Sequence, residues 1–347
     1  MLPRWILPVV ELLRRHERLL WGVHSLWALA LGVLVMRLGA RNYAWLRVTL
    51  FYVAFLWATS LFVPSLVDDP RRATKWRGRL RLVINYFHKN FYQQLLFFLL
   101  PVYWASATVW SANVVFVFVL AVSALLSTLD IVYDRHLSVR RGLLAVFFGF
   151  NLFACINVML PTLWSVSNQV ALPLSAALAV VAFATIRFHQ VTRRWRARLD
   201  VVLAGASLAL LVAFGRPLIP PAPLRVLRSD IGTSFSRSAF QVTQPLESLT
   251  DGWSGRLYVM TSVYAPLGLS DRIAHRWYRD GRLIFAPAFY RVTGGRREGF
   301  RLWTSVTVKN VQAGSVVRVD VETEAGQLVG RAEIRAAGAE GGTGYNH

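Results

Sequence analysis

Long apolar runs, separated by short polar segments, fill the first two thirds of the chain. Seven of these runs reach the length of about 20 residues that a helix needs to cross the hydrocarbon core of a bilayer. Because backbone groups in lipid must find hydrogen-bond partners within the segment, such runs predict transmembrane helices. The predicted spans are 19–38, 44–66, 91–110, 113–133, 142–160, 167–186 and 199–217.

Beyond residue 236 the pattern changes to apolar residues at every second position, broken by frequent turns. Residues 257–264 are typical of a strand. Asp280-Gly281 predicts a hairpin turn, because both residues tolerate positive φ. Six or so short strands of this kind favour an antiparallel sandwich. The predicted fold is an α-helical membrane bundle of about seven transmembrane helices, followed by an all-β antiparallel, sandwich-like domain.

Prolines and small residues set the predicted domain boundaries. Four prolines within a few residues of each other exclude regular helix after the last span and predict a stiff spacer. A Gly- and Ala-rich end predicts a disordered tail. The predicted organisation is a cytoplasmic segment 1–18, a seven-span region 19–217, a Pro-rich linker 218–236, a β-domain 237–335 and a tail 336–347.

The charge distribution predicts the orientation of the spans. Of the 347 residues, 55% are hydrophobic and only 16% are charged, against about 25% in soluble domains, yet the formal net charge is +21. The basic residues concentrate in every second loop, and such loops face the cytoplasm. The basic segments are 1–18, 67–90, 134–141 and 187–198, whereas the loops between them hold only Arg37 and Arg41, with Arg47 just inside the second span.

This alternation predicts a cytoplasmic N-terminus and a β-domain on the opposite side of the membrane. The short loops and the preference for arginine favour a bacterial inner membrane, which makes the β-domain periplasmic. The predicted partners are the lipid bilayer and a periplasmic protein or glycan. Because the positive charge lies in span-flanking loops, it does not indicate a nucleic-acid interface. The sequence leaves the oligomeric state open.

Three motifs of the β-domain carry a resemblance to a known kind of protein. They are His275-Arg276-Trp277-Tyr278-Arg279-Asp280-Gly281, Gly299-Phe300-Arg301-Leu302-Trp303-Thr304-Ser305, and the segment 314–320 with Gly326. This stretch resembles an uncharacterised bacterial family in which a C-terminal β-rich domain of unknown function follows a multi-span helical region. The resemblance implies the same architecture and no established activity, so it transfers no catalytic residue.

Motifs for common enzyme chemistry are absent from the sequence. There is no Gly-x-Gly-x-x-Gly fingerprint, no Walker A loop and no His-Glu-x-x-His zinc motif. The single cysteine, Cys155, excludes an intramolecular disulfide and a Cys-x-x-Cys metal site. We therefore favour a protein that is not an enzyme, with no cofactor and no metal.

Candidate site residues fall into three groups, each with a simpler structural alternative. In the β-domain, aromatic and basic residues predict a partner-binding surface, although tryptophans in strands also form cores and arginines also form solvated faces. Within the spans, polar residues near a proline predict an intramembrane site or, alternatively, bonds between helices. Near the cytoplasmic face, histidines and aspartates predict a metal or phosphate site, or interfacial anchors. The three groups are Trp277, Arg279, Arg296, Arg297 and Trp303; Asn151, Asn157 and Pro101; and His88, Asp130, Asp134, His136 and His189.

These groups correspond to three functional hypotheses. The first is a non-enzymatic envelope protein whose β-domain binds a protein partner or a glycan. The second is a transporter or channel component that uses the helical bundle. The third is a membrane enzyme that acts on a lipid-linked substrate at the cytoplasmic face.

Overall fold

The structure, a computed structural model, describes residues 95–129 and 140–337, together with residues 26, 27, 30 and 34. For residues 141, 189 and 190 it describes the backbone only. The chain divides into two compact units. The second unit contains Val102–Val117, Ile156–Leu174 and Ala209–His347, so it joins the β-domain to the nearest parts of several helices.

Five apolar helices lie within the described residues. Three of them, over Gly142–Trp164, Asn168–Phe188 and Arg194–Phe214, are long and apolar enough to cross a membrane. The last helix exposes large apolar side chains, including Val202 and Phe214, as expected for a helix whose solvent is lipid. The helices are α1 (Leu95–Ala105), α2 (Val114–Thr128), α3 (Arg141–Trp164), α4 (Asn168–Gln190) and α5 (Arg194–Phe214).

The described residues confirm three of the predicted spans as apolar helices and do not support the count of seven. Predicted spans 142–160, 167–186 and 199–217 correspond to α3, α4 and α5. Predicted spans 91–110 and 113–133 contain the shorter helices α1 and α2. The loop between them is longer than predicted, because Asn113 Oδ1 accepts the backbone N–H of Thr108 at 3.1 Å and holds a turn there. Predicted spans 19–38 and 44–66 lie outside the described residues, apart from the four isolated positions.

The C-terminal domain contains two antiparallel-based sheets and a short hairpin. A three-stranded sheet has the order β1-β5-β9, and a larger sheet has the order β4-β11-β10-β6-β7, with β8 beside β6. Strands β2 and β3 pair only with each other and form a separate two-stranded sheet. The strands are β1 (Arg225–Gly232), β2 (Phe235–Ser236), β3 (Gln241–Val242), β4 (Ser248–Leu249), β5 (Trp253–Tyr264), β6 (Arg272–Arg279), β7 (Arg282–Phe285), β8 (Tyr290–Arg291), β9 (Phe300–Val311), β10 (Val316–Thr323) and β11 (Leu328–Ala336).

Alternating residues of both sheets meet in one core. Leu257 and Val259 of the three-stranded sheet pack in the same buried cluster as Trp277, Val317 and Val319 of the larger sheet. The period-two pattern therefore buries one face of each sheet and leaves the other face outside. The predicted Asp280-Gly281 turn is confirmed, since it joins the antiparallel strands β6 and β7 with both residues at positive φ.

The predicted Pro-rich linker 218–236 is a structured part of the β-domain. Its residues 225–232 form β1, which pairs with β5 along its whole length. Ile219, between Pro217 and Pro220, and Leu224, directly after Pro223, are fully buried. Proline density excludes helix, but it does not exclude a strand or the packing of apolar residues next to the prolines. Of the predicted tail 336–347, residues 338–347 lie outside the described part.

Candidate functional site

Four aromatic rings form a cluster on the outer side of the three-stranded sheet. Phe235, from hairpin β2-β3, stacks on Trp303 of β9 with ring centroids 4.6 Å apart. It also lies parallel to Tyr258 of β5 at 6.4 Å and meets Phe240 edge-on at 5.5 Å. The hairpin is therefore held over the sheet by ring contacts, which are favourable in these offset and edge-to-face geometries.

A basic groove of about 570 Å³ adjoins this cluster at Phe240. Arg296, Arg297 and Arg301 line it together with Glu298. Glu298, on the loop before β9, forms an ion pair with Arg301 of β9. Arg296 and Arg297 are exposed and make no ion pair with any residue that the structure describes. The groove therefore carries uncompensated positive charge beside an aromatic ring.

Two more arginines extend the positive charge across the aromatic cluster. Arg237 lies over the ring of Trp303, 5.9 Å from its centroid. Arg256 lies over Tyr258 at 5.7 Å and donates to Ser305 Oγ at 3.1 Å. Neither has an acidic partner among the described residues. We name this surface the open face; its residues are Arg237, Arg256, Arg296, Arg297, Phe235, Phe240, Tyr258 and Trp303.

The outer side of the larger sheet carries charges that neutralise one another. Arg331 donates to both carboxylate oxygens of Asp320, at 2.7 and 3.1 Å. Arg318 approaches the same carboxylate at 3.4 Å and lies over Tyr278 at 4.6 Å. Burial, followed by the nearby charge of Asp320, raises the pKa of Glu322, which accepts from the Tyr278 hydroxyl. We name this surface, formed by Arg276, Tyr278, Arg318, Asp320, Glu322 and Arg331, the paired face.

The structure separates the five predicted partner-binding residues. Arg296, Arg297 and Trp303 lie on the open face. Trp277, predicted on the partner-binding surface, lies instead in the core, where its side chain is fully buried and its indole N–H donates to Thr304 Oγ1 at 2.9 Å. Arg279 donates to the carbonyls of Lys309 and Asn310 and so fastens the ends of two strands.

A buried histidine joins the two sheets beneath the faces. The ring of His275 on β6 bonds through Nε2 to Thr261 Oγ1 and through Nδ1 to Thr304 Oγ1, both at 2.8 Å. Burial lowers the pKa of His275 to about 3, so the ring is neutral at physiological pH. Both threonines belong to the three-stranded sheet, which makes this ring a polar link inside an apolar core.

A buried carboxylate attaches the β-domain to the beginning of α4. Asp271 Oδ2 accepts from the backbone N–H and the side-chain amide of Asn168, at 3.2 and 2.8 Å. A negative group is favourable at the N-terminal end of a helix. Burial raises the pKa of Asp271, and the hydrogen bonds from Asn168 partly offset the rise.

Three further buried or half-buried bonds connect helix ends to the turn between β10 and β11. Asn113 donates to the carbonyl of Leu328 at 3.1 Å, and Gln327 donates to that of Ile219 at 3.0 Å. Arg216 reaches the carbonyl of Ala325 at 3.4 Å. Sequence reasoning missed these contacts because the partners are more than 100 residues apart and carry no local motif.

The predicted intramembrane residues make helix contacts. Asn157 donates to the hydroxyl of Tyr103 at 3.1 Å, and Asn151 donates to the carbonyl of Phe147 within its own helix at 2.7 Å. Pro101 lies inside α1. The bond of Asn157 joins α3 to α1, as in the alternative interpretation in which polar residues connect helices, whereas the bond of Asn151 stays within α3.

The structure does not describe the side chains of the predicted cytoplasmic cluster. His88, Asp130, Asp134 and His136 lie outside the described residues, and only the backbone of His189, in α4, is described. Within residues 95–129 and 140–337 there is no group of three histidine, cysteine or acidic side chains able to hold a metal ion.

Two family models match different parts of the chain, and the boundary between the two matches lies inside the β-domain. A family of unknown function, DUF5924, matches residues 1–253, which include β1 to β4. A protein of unknown function, DUF2914, matches residues 270–335, from β6 to β11. No curated protein matches the chain. These matches confirm a C-terminal domain of unknown function, and because the first model covers well over half of the residues, the chain belongs to the DUF5924 family.

Proposed function

We propose that this chain is an integral protein of a bacterial inner membrane whose periplasmic β-domain binds a ligand bearing acidic groups. The observation that carries the proposal is the contrast in charge compensation: the four exposed arginines of the open face have no acidic partner among the described residues, whereas Arg318 and Arg331 of the paired face share Asp320. In this proposal the β-domain is a binding module. Its partner is a protein or a glycan that carries negative charge.

The contacts of the β-domain support the proposed topology. It bonds to Asn113 between α1 and α2, to Asn168 at the beginning of α4 and to Arg216 after α5. All three positions lie at ends of predicted spans that the charge alternation places on the non-cytoplasmic side. With the predicted seven spans and a cytoplasmic N-terminus, these helix ends and the β-domain share one side of the membrane.

Reporter fusions test this topology. Alkaline phosphatase, active only in the periplasm, should be active when fused after residue 218 and inactive when fused within residues 187–198. A fluorescent protein that folds only in the cytoplasm should give the opposite pattern. Phosphatase activity from both sites, or from neither, would contradict the proposed arrangement.

Binding of a charged probe tests the ligand. The full chain in detergent should bind a fluorescent acidic hexasaccharide and not a neutral one of equal length. Replacement of the four open-face arginines by glutamine should weaken binding at least tenfold, since four exposed arginine–anion contacts of about 0.5 kcal/mol each sum to about 2 kcal/mol. The matched control replaces four exposed arginines of the larger sheet, Arg272, Arg282, Arg291 and Arg335. Equal loss in both variants would reduce the effect to net charge and contradict the proposed site.

A further inference from the structure

The loop that carries the groove arginines packs on a neighbouring turn. Gly295 donates its backbone N–H to the carbonyl of Ala265 at 2.9 Å. A Cβ on Gly295 would lie 2.6 Å from Leu267 Cδ1, and its φ is +86°, so only glycine allows this approach. Arg296 and Arg297 therefore follow directly from a point of contact with the turn 265–268.

The same turn packs on the end of α3. A Cβ on Gly268 would lie 2.5 Å from Ser165 Oγ, so the backbone of the turn meets Ser165 without a side chain between them. Ser165 comes immediately after Trp164, the last residue of α3. The basic groove is thus separated by a single turn of chain from the end of a helix that is long and apolar enough to cross a membrane.

Apolar side chains stand exposed at this level of the molecule. Leu267 is 82% exposed and Trp164 is 54% exposed. Tryptophan at the end of an apolar helix is typical of the interface between lipid and water. Leu267 lies on the turn that meets Ser165, and contact of its exposed part with acyl chains or glycerol would remove it from water.

The charges next to these apolar residues suit a phosphate group. Arg296 and Arg297 have no acidic partner among the described residues, and the only carboxylate that lines the groove, on Glu298, is engaged by Arg301. A guanidinium matches phosphate oxygens through paired N–H donors. Long arginine stems can also lie along apolar surface while the charged end stays at the headgroups.

We propose that the groove binds the headgroup phosphate of an anionic phospholipid from the membrane in which the helices lie. The inference rests on the proposed function and names the acidic ligand of this part of the open face. Exposed Leu267, on the turn that contacts Gly295, and exposed Trp164, at the end of α3, favour a lipid over a soluble polymer, because contact with acyl chains would remove both side chains from water.

Photolabelling of the full chain in nanodiscs tests the inference. Phosphatidylglycerol with a photoreactive group near the headgroup should form adducts on residues 292–301, and phosphatidylcholine with the same group should form at least fivefold fewer. Arg296→Gln with Arg297→Gln should lower the phosphatidylglycerol adducts at least fivefold. Arg282→Gln with Arg335→Gln removes the same charge from exposed positions of the larger sheet and should change nothing. Leu267→Ser should lower labelling about twofold.

Several outcomes would overturn the inference. Equal labelling by the two lipids, or labelling unchanged in the Arg296 and Arg297 variant, excludes a site for anionic lipid. Displacement by millimolar sn-glycerol 3-phosphate identifies a site for soluble phosphate esters instead. If the acidic hexasaccharide still binds in phosphatidylcholine nanodiscs and needs these arginines while lipid labelling does not, the lipid inference fails and the proposed function stands. If the unaltered protein shows neither lipid labelling nor hexasaccharide binding, the proposed function is rejected as well.

Discussion

The two outer faces of the β-domain are built from similar residues and differ in how their charges are compensated. Each face has an arginine over a tyrosine: Arg256 over Tyr258 on the open face, and Arg318 over Tyr278 on the paired face. On the paired face the nearly buried carboxylate of Asp320 completes the arrangement. On the open face no carboxylate among the described residues does so.

This difference indicates which arginines belong to the fold and which are available to a ligand. A guanidinium that already holds a carboxylate loses that bond before it binds another anion, so it contributes little to external binding. An exposed guanidinium without a partner has no such competition. Composition alone cannot distinguish the two cases, since the domain is rich in arginine on both sides.

The largest losses in the free energy of unfolding are expected from the replacement of two tryptophans, one in the core and one on the open face. Trp277→Ala should lower the free energy of unfolding of the β-domain by about 3–5 kcal/mol, because it empties a fully buried site. Trp303→Ala should lower it by about 1–2 kcal/mol, since the ring is partly exposed and stacks mainly on Phe235. Hydrogen exchange of the full chain in detergent measures both. Equal costs would place Trp303 in the core and contradict its role on a binding surface.

Removal of one carboxylate from each face tests charge compensation directly. Asp320→Asn leaves Arg318 and Arg331 partly buried without a counter-charge and should destabilise the domain by about 2–3 kcal/mol. Glu298→Gln removes an exposed partner of Arg301 and should cost about 0.5 kcal/mol or less.

The same pair of variants should separate binding from stability. Glu298→Gln should strengthen binding of an anionic probe, because it removes the negative group that lines the groove among the described residues. Asp320→Asn should leave binding unchanged under conditions in which the domain is folded. A gain in binding from Asp320→Asn would mean that the paired face also accepts external anions.

The sequence predicted the β-rich domain, the hairpin at Asp280-Gly281 and three of the helices, because each of these depends on local pattern. The same period-two pattern could have identified the buried faces more completely. Ile273, His275 and Trp277 alternate along β6, and all three point into the core. Trp277 and Tyr278 are neighbours in this alternation and therefore point to opposite faces, and the structure shows that Trp277 is the one in the core.

Pairing of charges, in contrast, could not be predicted from the sequence. Asp320 and Arg331 are brought together by the register of β10 and β11, and Phe235 reaches Trp303 only because a hairpin folds over the sheet. Arg296 and Arg297 were predicted as a basic pair, but their lack of a partner depends on the whole surface around them. The open face is therefore a tertiary property, even though half of its arginines were predicted from the sequence.

Mild acid should weaken the hydrogen bonds by which the His275 ring links the two sheets. The folded-state pKa of His275, about 3, lies below its ordinary value of 6.5, so the unfolded state takes up a proton first as the pH falls. The contribution of the neutral ring is complete above about pH 6.5 and declines toward pH 3. At pH 5.5 the expected loss of stability is about 1–1.5 kcal/mol.

Exchange protection should fall together in β5 and β9 and in β10 and β11, since the ring bonds across both sheets. His275→Gln should be less stable at pH 7.5 but should lose the decline between pH 7.5 and 5.5. The buried carboxyls of Asp271 and Glu322, whose pKa values are raised, contribute a slope of the opposite sign, because protonation favours the folded state through them. A decline confined to one sheet would show that the two sheets unfold separately.

The smallest effects should come from the two matched arginines, and they discriminate between the faces most directly. Arg318→Gln removes a contact with Tyr278 at 4.6 Å and one with Asp320, and should cost about 1 kcal/mol of stability with no change in anion binding. Arg256→Gln should cost about 0.5 kcal/mol or less, because its side chain is exposed and its bond to Ser305 is replaced by water. The same change should weaken binding of the acidic hexasaccharide two- to fivefold. Since both variants remove one charge and one cation–π contact, net charge cannot explain a difference between them. If the two exchanged roles, with Arg318 governing binding and Arg256 governing stability, the assignment of the faces would be reversed.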